Sequence, residues 1–160
     1  MSAQVLFKLL GAALIMLSGG ATSSLLIKQD QKKLDFADAC LSLLRFFKLQ
    51  IDYYCVPVGE IFSRCDPSLL SACGCKKTPE SFDEFLKTAD FNCDSIENIL
   101  RSFSNELGTS YREEQLKSCD YHINLLTDER NKLASESENR KKLSRVLCLS
   151  ASAALALLLL

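Results

Sequence analysis

The sequence is poor in the parts from which catalysis is built. Its single histidine, His122, sits inside a helical pattern, where a lone imidazole is ordinarily a surface or core residue. There is no glycine-rich phosphate loop and no G-x-S-x-G nucleophile turn. Acidic residues are scattered, with no pair set apart for acid–base work. Net charge is scarce as well. Nineteen Lys and Arg against twenty Asp and Glu leave −1, which suggests no polyanionic partner and so no nucleic acid. No period-two alternation of any length occurs, which excludes a sheet protein. An enzyme, a cofactor and a small-molecule substrate are therefore not expected, and function has to lie in surfaces.

Two things are plentiful, and the first is apolar length at both ends. Leu9 to Ile27 carries no charge over nineteen residues, about 28 Å as a helix and near the hydrocarbon thickness of a bilayer. Val146 to Leu160 is a second uncharged run, about 22 Å long, which Leu143 and a snorkelling Arg145 extend. Lys28, Lys32 and Lys33 follow the first run, and Arg140, Lys141, Lys142 and Arg145 precede the second. Both basic flanks face the middle of the chain. The positive-inside rule is satisfied at both by two spans with a cytoplasmic middle. The expected division is a transmembrane helix at 5–27, a cytosolic domain at 28–142 and a transmembrane helix at 143–160.

The second is cysteine, with eight residues. In a secreted chain an even count reads as a disulfide framework. Lys8, an apolar stretch and Gly19-Gly20-Ala21-Thr22-Ser23 resemble a signal peptide, and the apolar tail resembles a lipid-anchor signal. The alternative is thus a secreted, membrane-anchored, disulfide-rich helical domain. Against it stand the length of the first run, the charges that reach Arg145 without a spacer, and the lysines that oppose translocation. In the cytoplasmic reading the cysteines are buried free thiols. Cys65, Cys73, Cys75 and Cys93 could supply four zinc thiolates, but Cys73-x-Cys75 is too tight for a knuckle.

Between the ends the pattern is helical. Ala37, Cys40, Leu44, Phe47, Ile51 and Tyr54 form an a/d seam, and Leu41, Leu43, Phe46 and Leu49 broaden it. With no Gly or Pro between, one helix is expected from the first apolar run to Cys55, stopped by Pro57. Val58 to Arg64 allows one or two turns. Asp66-Pro67 caps a short helix to about Ala72. Cys73 to Lys77 reads as a loop, and Thr78-Pro79 repeats the cap-proline pattern and opens a third helix. Asp94-Ser95-Ile96-Glu97 has capping-box form, and Gly108 ends the helix it opens. Ser110-Tyr111-Arg112-Glu113 opens the last long helix, with Leu116, Cys119, Ile123, Leu126 and Leu133 on heptad positions and Arg130 interrupting one. The fold class is all-α: an antiparallel helical hairpin with short cap helices, flanked by N- and C-terminal transmembrane helices.

Taken in order, these residues resemble the stage III sporulation protein AB family. Leu9-Leu10-Gly11-Ala12 looks like that family's first span. Ile51-x-Tyr53 and Pro57-Val58 are similar to its E-I-x-Y-x-x-T-P-L signature, with Gln50 and Val56 departing from it. Phe103, Leu107-Gly108 and Gln115 fit its F-x-x-x-L-G…Q segment, and Lys141-Lys142-Leu143 with the apolar tail fits its ending. The stretch from Asp66 to Asp90 has no evident counterpart. The resemblance implies a non-enzymatic platform in the mother-cell membrane, part of the secretion-like channel between mother cell and forespore. It implies as partners the stage III sporulation protein AA-type ATPase and other channel membrane proteins. Contact residues are expected at the membrane-distal helix ends: Tyr53, Tyr54, Pro57, Glu60 and Arg64, with Gly108, Arg112 and Glu113. Pro57 and Gly108 read better as turn-formers.

Overall fold

The computed structural model describes the backbone of residues 3–159 and the side chains of residues 28–144, 146, 147, 150 and 151. Five α-helices follow one another: α1 (Ala3–Asp52), α2 (Pro67–Ala72), α3 (Phe82–Thr88), α4 (Asp94–Glu106) and α5 (Arg112–Leu159). Two 3₁₀ turns, Val58–Glu60 and Phe62–Arg64, stand between α1 and α2. Among the described residues there is no strand, so the fold is all-α. Among them, too, no helix is long and apolar enough to cross a membrane. The expected span at 5–27 lies outside the described side chains, as does most of the span at 143–160.

The chain forms two compact units, one of residues 32–133 and one of residues 1–31 with 134–160. In the second unit, Arg140 pairs with Asp30 at 3.3 Å and Lys142 with Glu138 at 2.9 Å. That lysine holds the Glu138 carboxyl below the usual range. Leu143, Val146 and Leu147 stand exposed on α5.

The larger unit holds the core. On α1, the seam residues Ala37, Cys40, Leu44, Phe47 and Ile51 are all buried, with Leu41 and Leu43 beside them. From α5, Cys119 and Leu126 are buried, and Leu116, Ile123 and Leu133 pack partly against the same cluster. Ion pairs fix the register of the two helices. Lys48 meets Asp120 at 2.6 Å and Asp38 meets Arg130 at 3.0 Å. Ten residues back along α1 are thus ten residues forward along α5, which is an antiparallel pair. Arg130, which breaks the heptad on paper, is the α5 partner in this register. Its guanidinium also reaches the second Asp38 oxygen, and its pKa is raised by that carboxylate.

The short helices are laid over this pair by phenylalanine. Phe47 of α1 meets Phe62 at 5.0 Å, Phe82 of α3 at 5.5 Å and Phe103 of α4 at 6.4 Å, each edge to face. Offset and edge contacts of this kind add to the burial of ring area. On α4 the stripe Ile96, Leu100 and Phe103 is buried, as a 3.6-residue period requires.

Helix ends follow local chemistry, with shifts from expectation. The α1 helix stops at Asp52, three residues before Cys55. There Cys55 takes φ 49°, and the Val56 N–H donates back to the Gln50 carbonyl at 3.2 Å. Tyr54, counted into the seam, is left exposed by this turn. The α2 helix is capped as expected: Asp66 Oδ1 accepts from the Ser68 N–H at 2.8 Å, and this holds its carboxyl low. It closes in a Schellman motif, with the Cys75 N–H on the Leu70 carbonyl at 2.9 Å and Gly74 at φ 80°.

Thr78-Pro79 does not open α3. The helix starts at Phe82, capped by Ser81, whose Oγ accepts from the Glu84 N–H at 3.2 Å. Glu84 turns back to accept from the Glu80 N–H at 2.7 Å. Ser81-x-x-Glu84 is the box-like signal that decides this end. Asp94 is the first residue of α4, not its cap, and Cys93 is the cap without a side-chain bond. Asp94 then acts through its charge in the first turn. Gly108 ends α4 at φ 78°, as expected. The α5 helix starts at Arg112, and the Gln115 amide on the Ser110 carbonyl at 2.7 Å ties that start down.

Candidate functional site

The end of the larger unit where α1 stops and α5 starts is joined by one side chain. Arg112 donates from Nε to the Ile51 carbonyl at 3.3 Å and from Nη2 to Asp52 Oδ1 at 2.7 Å and to the Asp52 carbonyl. The last carbonyls of a helix lack intrahelical partners, and a cation there also answers the helix dipole. Arg112 is therefore a clasp between two helix ends. Its partner Asp52 went unnoticed in the sequence, because the two lie 60 residues apart. Opposite charges at the meeting ends of two seam-bearing helices were the available signal.

Around the clasp the surface is aromatic. Tyr53 is 77% exposed, Tyr54 63% and Tyr111 88%, and Leu49 one turn back is exposed too. Tyr121, further along α5, is 58% exposed, so every tyrosine of the chain is on the surface. Of the eight residues expected at the helix ends, the clasp brings Tyr53, Tyr54, Arg112 and Glu113 to one place. Glu60 and Arg64 pair with each other at 3.7 Å, both exposed. Pro57 stands exposed before the first 3₁₀ turn, and Gly108 supplies the turn after α4.

Beside the clasp lies an open hollow of about 450 Å³, lined by Glu106, Ser110, Glu114, Lys117, Ser118 and Tyr121 among others. His122 is buried next to it. A carbonyl only accepts, so the 2.8 Å contact from His122 Nδ1 to the Ser118 carbonyl puts the proton on Nδ1. Nε2 is buried without a hydrogen-bond partner among the described residues, and the ring lies edge-on to Phe103 at 5.3 Å. Ser118 Oγ is 3.4 Å from Nδ1, but it donates to Glu106 Oε2 at 2.5 Å. In a nucleophilic relay the acid orients the base. Here the acid holds the hydroxyl, and the imidazole is spent on backbone, so the trio is not such a relay.

Most of the described cysteines belong to the core, while Cys55 is exposed and Cys93 half-buried. Cys40, Cys65, Cys73, Cys75 and Cys119 are buried, and all seven described cysteines are free thiols. Among the described residues no group of three or more His, Cys, Asp or Glu is set to hold a metal ion. A hydrogen bond that the Cys40 thiol donates to Cys73, with burial, raises the Cys40 thiol, and burial pushes Cys65 and Cys119 up to about 11. Thiols held neutral in this way are poor nucleophiles and poor ligands.

The stage III sporulation protein AB family model matches residues 78–160, more than half of the chain. The chain belongs to that family. It is accordingly a sporulation protein. No curated protein and no solved structure matches it. The match takes in α3, α4 and α5, with Gly108, Arg112 and Glu113, and includes residues 78 to 90, for which the sequence had offered no counterpart. Tyr53, Tyr54, Pro57, Glu60 and Arg64 precede it, as do Leu9 to Ala12 and the signature from Ile51 to Val58.

Proposed function

We propose that this family member is a non-enzymatic platform in the mother-cell membrane, part of the secretion-like channel assembly, with its central domain in the cytoplasm. Its partner in this reading is the stage III sporulation protein AA-type ATPase, which docks on the tyrosine-bearing end. The observation that carries the reading is family membership joined to that end. Three exposed tyrosines surround a structural clasp, and rings of this kind favour interfaces over open water. The membrane assignment draws on the two uncharged runs, and on Leu143, Val146 and Leu147, which are exposed on α5 directly after Lys141 and Lys142. We place the spans at 5–27 and 143–160.

Docking is tested with the full chain in a nonionic detergent and a tagged ATPase. The wild type is expected to retain the ATPase on a column. The double variant Tyr54→Ser/Glu60→Lys is expected to release it while keeping its helical circular dichroism. Retention unchanged in the still-folded variant removes docking from this end, and no retention by the wild type removes docking altogether. Arg112 is a poor choice for this test, because its loss frees the end of α1. The secreted, disulfide-rich alternative is separated by counting thiols in denatured, unreduced protein. Eight free thiols support the cytoplasmic platform, and none or two support secretion.

A further inference from the structure

We infer that the tyrosine end receives a positively charged, arginine-bearing face of a protein partner. This rests on the docking reading above and adds the chemistry that the partner has to present.

The charges at this end are unevenly committed. Arg112 is spent on Asp52, and Arg64 on Glu60. Glu113 and Glu114 are exposed in the first turn of α5, and neither forms an ion pair among the described residues. Glu106 is exposed and gives one oxygen to Ser118. Lys117 is the one uncommitted base among these described neighbours. The surface left for a partner is thus the Glu113 and Glu114 carboxylates two and three residues beyond Tyr111, with Tyr53 and Tyr54 directly after the Asp52 that Arg112 clasps, while Glu106, which also lies 4.0 Å from His122 Nδ1, and Lys117 line the adjoining hollow with Glu114. The start of α5 accounts for some of the acid, since carboxylates there answer the helix dipole. It does not account for the rings. An exposed tyrosine face beside free carboxylates suits a guanidinium, which stacks on the ring while its fork takes a carboxylate.

The same charge disfavours other occupants. An anionic lipid surface or a nucleic acid meets like charge. A second copy of this end brings the same unpaired carboxylates against these. Lysine is the weaker partner, because its ammonium is a point charge that stays hydrated and does not stack as a plane.

The test uses the full chain in nonionic detergent and three fluorescent helical peptides of alanine with arginine, with lysine or with glutamate, read by anisotropy. The arginine peptide is expected to bind, the lysine peptide about threefold more weakly, and the glutamate peptide not at all. Glu113→Gln with Glu114→Gln is expected to weaken the arginine peptide about tenfold and to flatten its salt dependence. Tyr53→Ser with Tyr111→Ser is expected to bring arginine down to the lysine level. Arginine binding untouched by both double variants overturns the inference, as does glutamate binding as well as arginine. A competition arm keeps the two readings apart. An ATPase that displaces the arginine peptide supports both. An ATPase that binds without displacing it overturns docking at this end and leaves the arginine-selective surface standing on the peptide results.

Discussion

Phenylalanine and tyrosine differ by one oxygen, and six described phenylalanines of this chain occupy an environment opposite to that of its tyrosines. Phe36, Phe47, Phe62, Phe82, Phe85 and Phe103 are buried in the larger unit, where Phe47 touches three other rings and Phe82 four. All four tyrosines are exposed, three of them within a residue or two of the Arg112 clasp. A buried phenol needs a hydrogen-bond partner, whereas a phenyl ring needs only close packing. The short helices offer little beyond apolar side chains around Phe47, so phenylalanine is what that space accepts. The end of the helix pair has water on the hydroxyl and leaves the ring for something else. The comparison separates what holds the unit together from what it presents.

The largest effect is expected on the packed side. Phe47→Ala removes the ring against which Phe62, Phe82 and Phe103 rest, and is expected to cost about 3–5 kcal/mol. That is a large share of the roughly 5–15 kcal/mol that a domain has. Urea unfolding of the full chain, followed by circular dichroism, checks it. A loss under about 1 kcal/mol would mean that the rings do not bear on one another, and the comparison would fail at its first term.

A glycine pair sharpens the same contrast. Gly74 and Gly108 share a left-handed backbone, at φ 80° and 78°. A Cβ on Gly74 would stand 2.9 Å from the Asp90 backbone nitrogen, whereas one on Gly108 meets nothing within 4 Å. Gly108→Ala is expected to cost about 1–2 kcal/mol from conformation alone. Gly74→Ala adds the clash, about 1–3 kcal/mol more, because backbone cannot swing aside. Equal costs in urea midpoints would show that the α2–α3 corner yields as freely as the open end.

What the sequence made legible follows the same division. The α1 seam from Ala37 to Ile51 and the α4 stripe were readable because burial on a helix leaves a 3.6-residue period. The overshoot to Tyr54 has a cause. The period continues through Tyr54, but the Gln50 carbonyl takes the Val56 N–H and unwinds the last turn. At α3 two local rules competed, and Ser81 with Glu84 prevailed over Thr78-Pro79 because the helix has to start where Phe82, Phe85 and Leu86 face the core. The clasp was out of reach of any local rule. Arg112 was visible as an exposed base near a helix end, but its role depends on Asp52 across the hairpin, and pairings of that range leave no periodic trace.

Alkaline titration tests the packed side with smaller perturbation. Burial raises Cys65 and Cys119 from about 9 to about 11. The sign follows from linkage. Below pH 9 both folded and unfolded chains hold the thiol proton, and stability is unaffected. Between pH 9 and 11 the unfolded chain loses it first, so stability falls as pH rises. Lys48 is held above its usual 10.5 by Asp120 and keeps its proton through the lower part of that window. Urea midpoints at pH 8 and pH 10 are expected to fall further apart in the wild type than in Cys119→Ala. Equal separation would mean that the Cys119 thiol meets water in the folded chain.

The smallest expected effect lies at the tyrosine end and weighs most for function. Tyr53→Ser with Tyr111→Ser removes two rings from a surface where neither packs against the core. The change in unfolding free energy is expected within about 0.5 kcal/mol, as for surface positions generally. Removing two aromatic rings from a chain ordinarily destabilises it, so near-neutrality means that the rings are surplus to the fold. A cost above about 1 kcal/mol would mean that they fold down onto Leu49 and the clasp and serve packing after all. In that case the tyrosines would join the phenylalanines as structural residues, and the docking surface would have to be sought among the carboxylates alone. Near-neutral stability with lost ATPase retention places the two ring types on the two sides of the comparison, one holding the helices and the other offered to a partner.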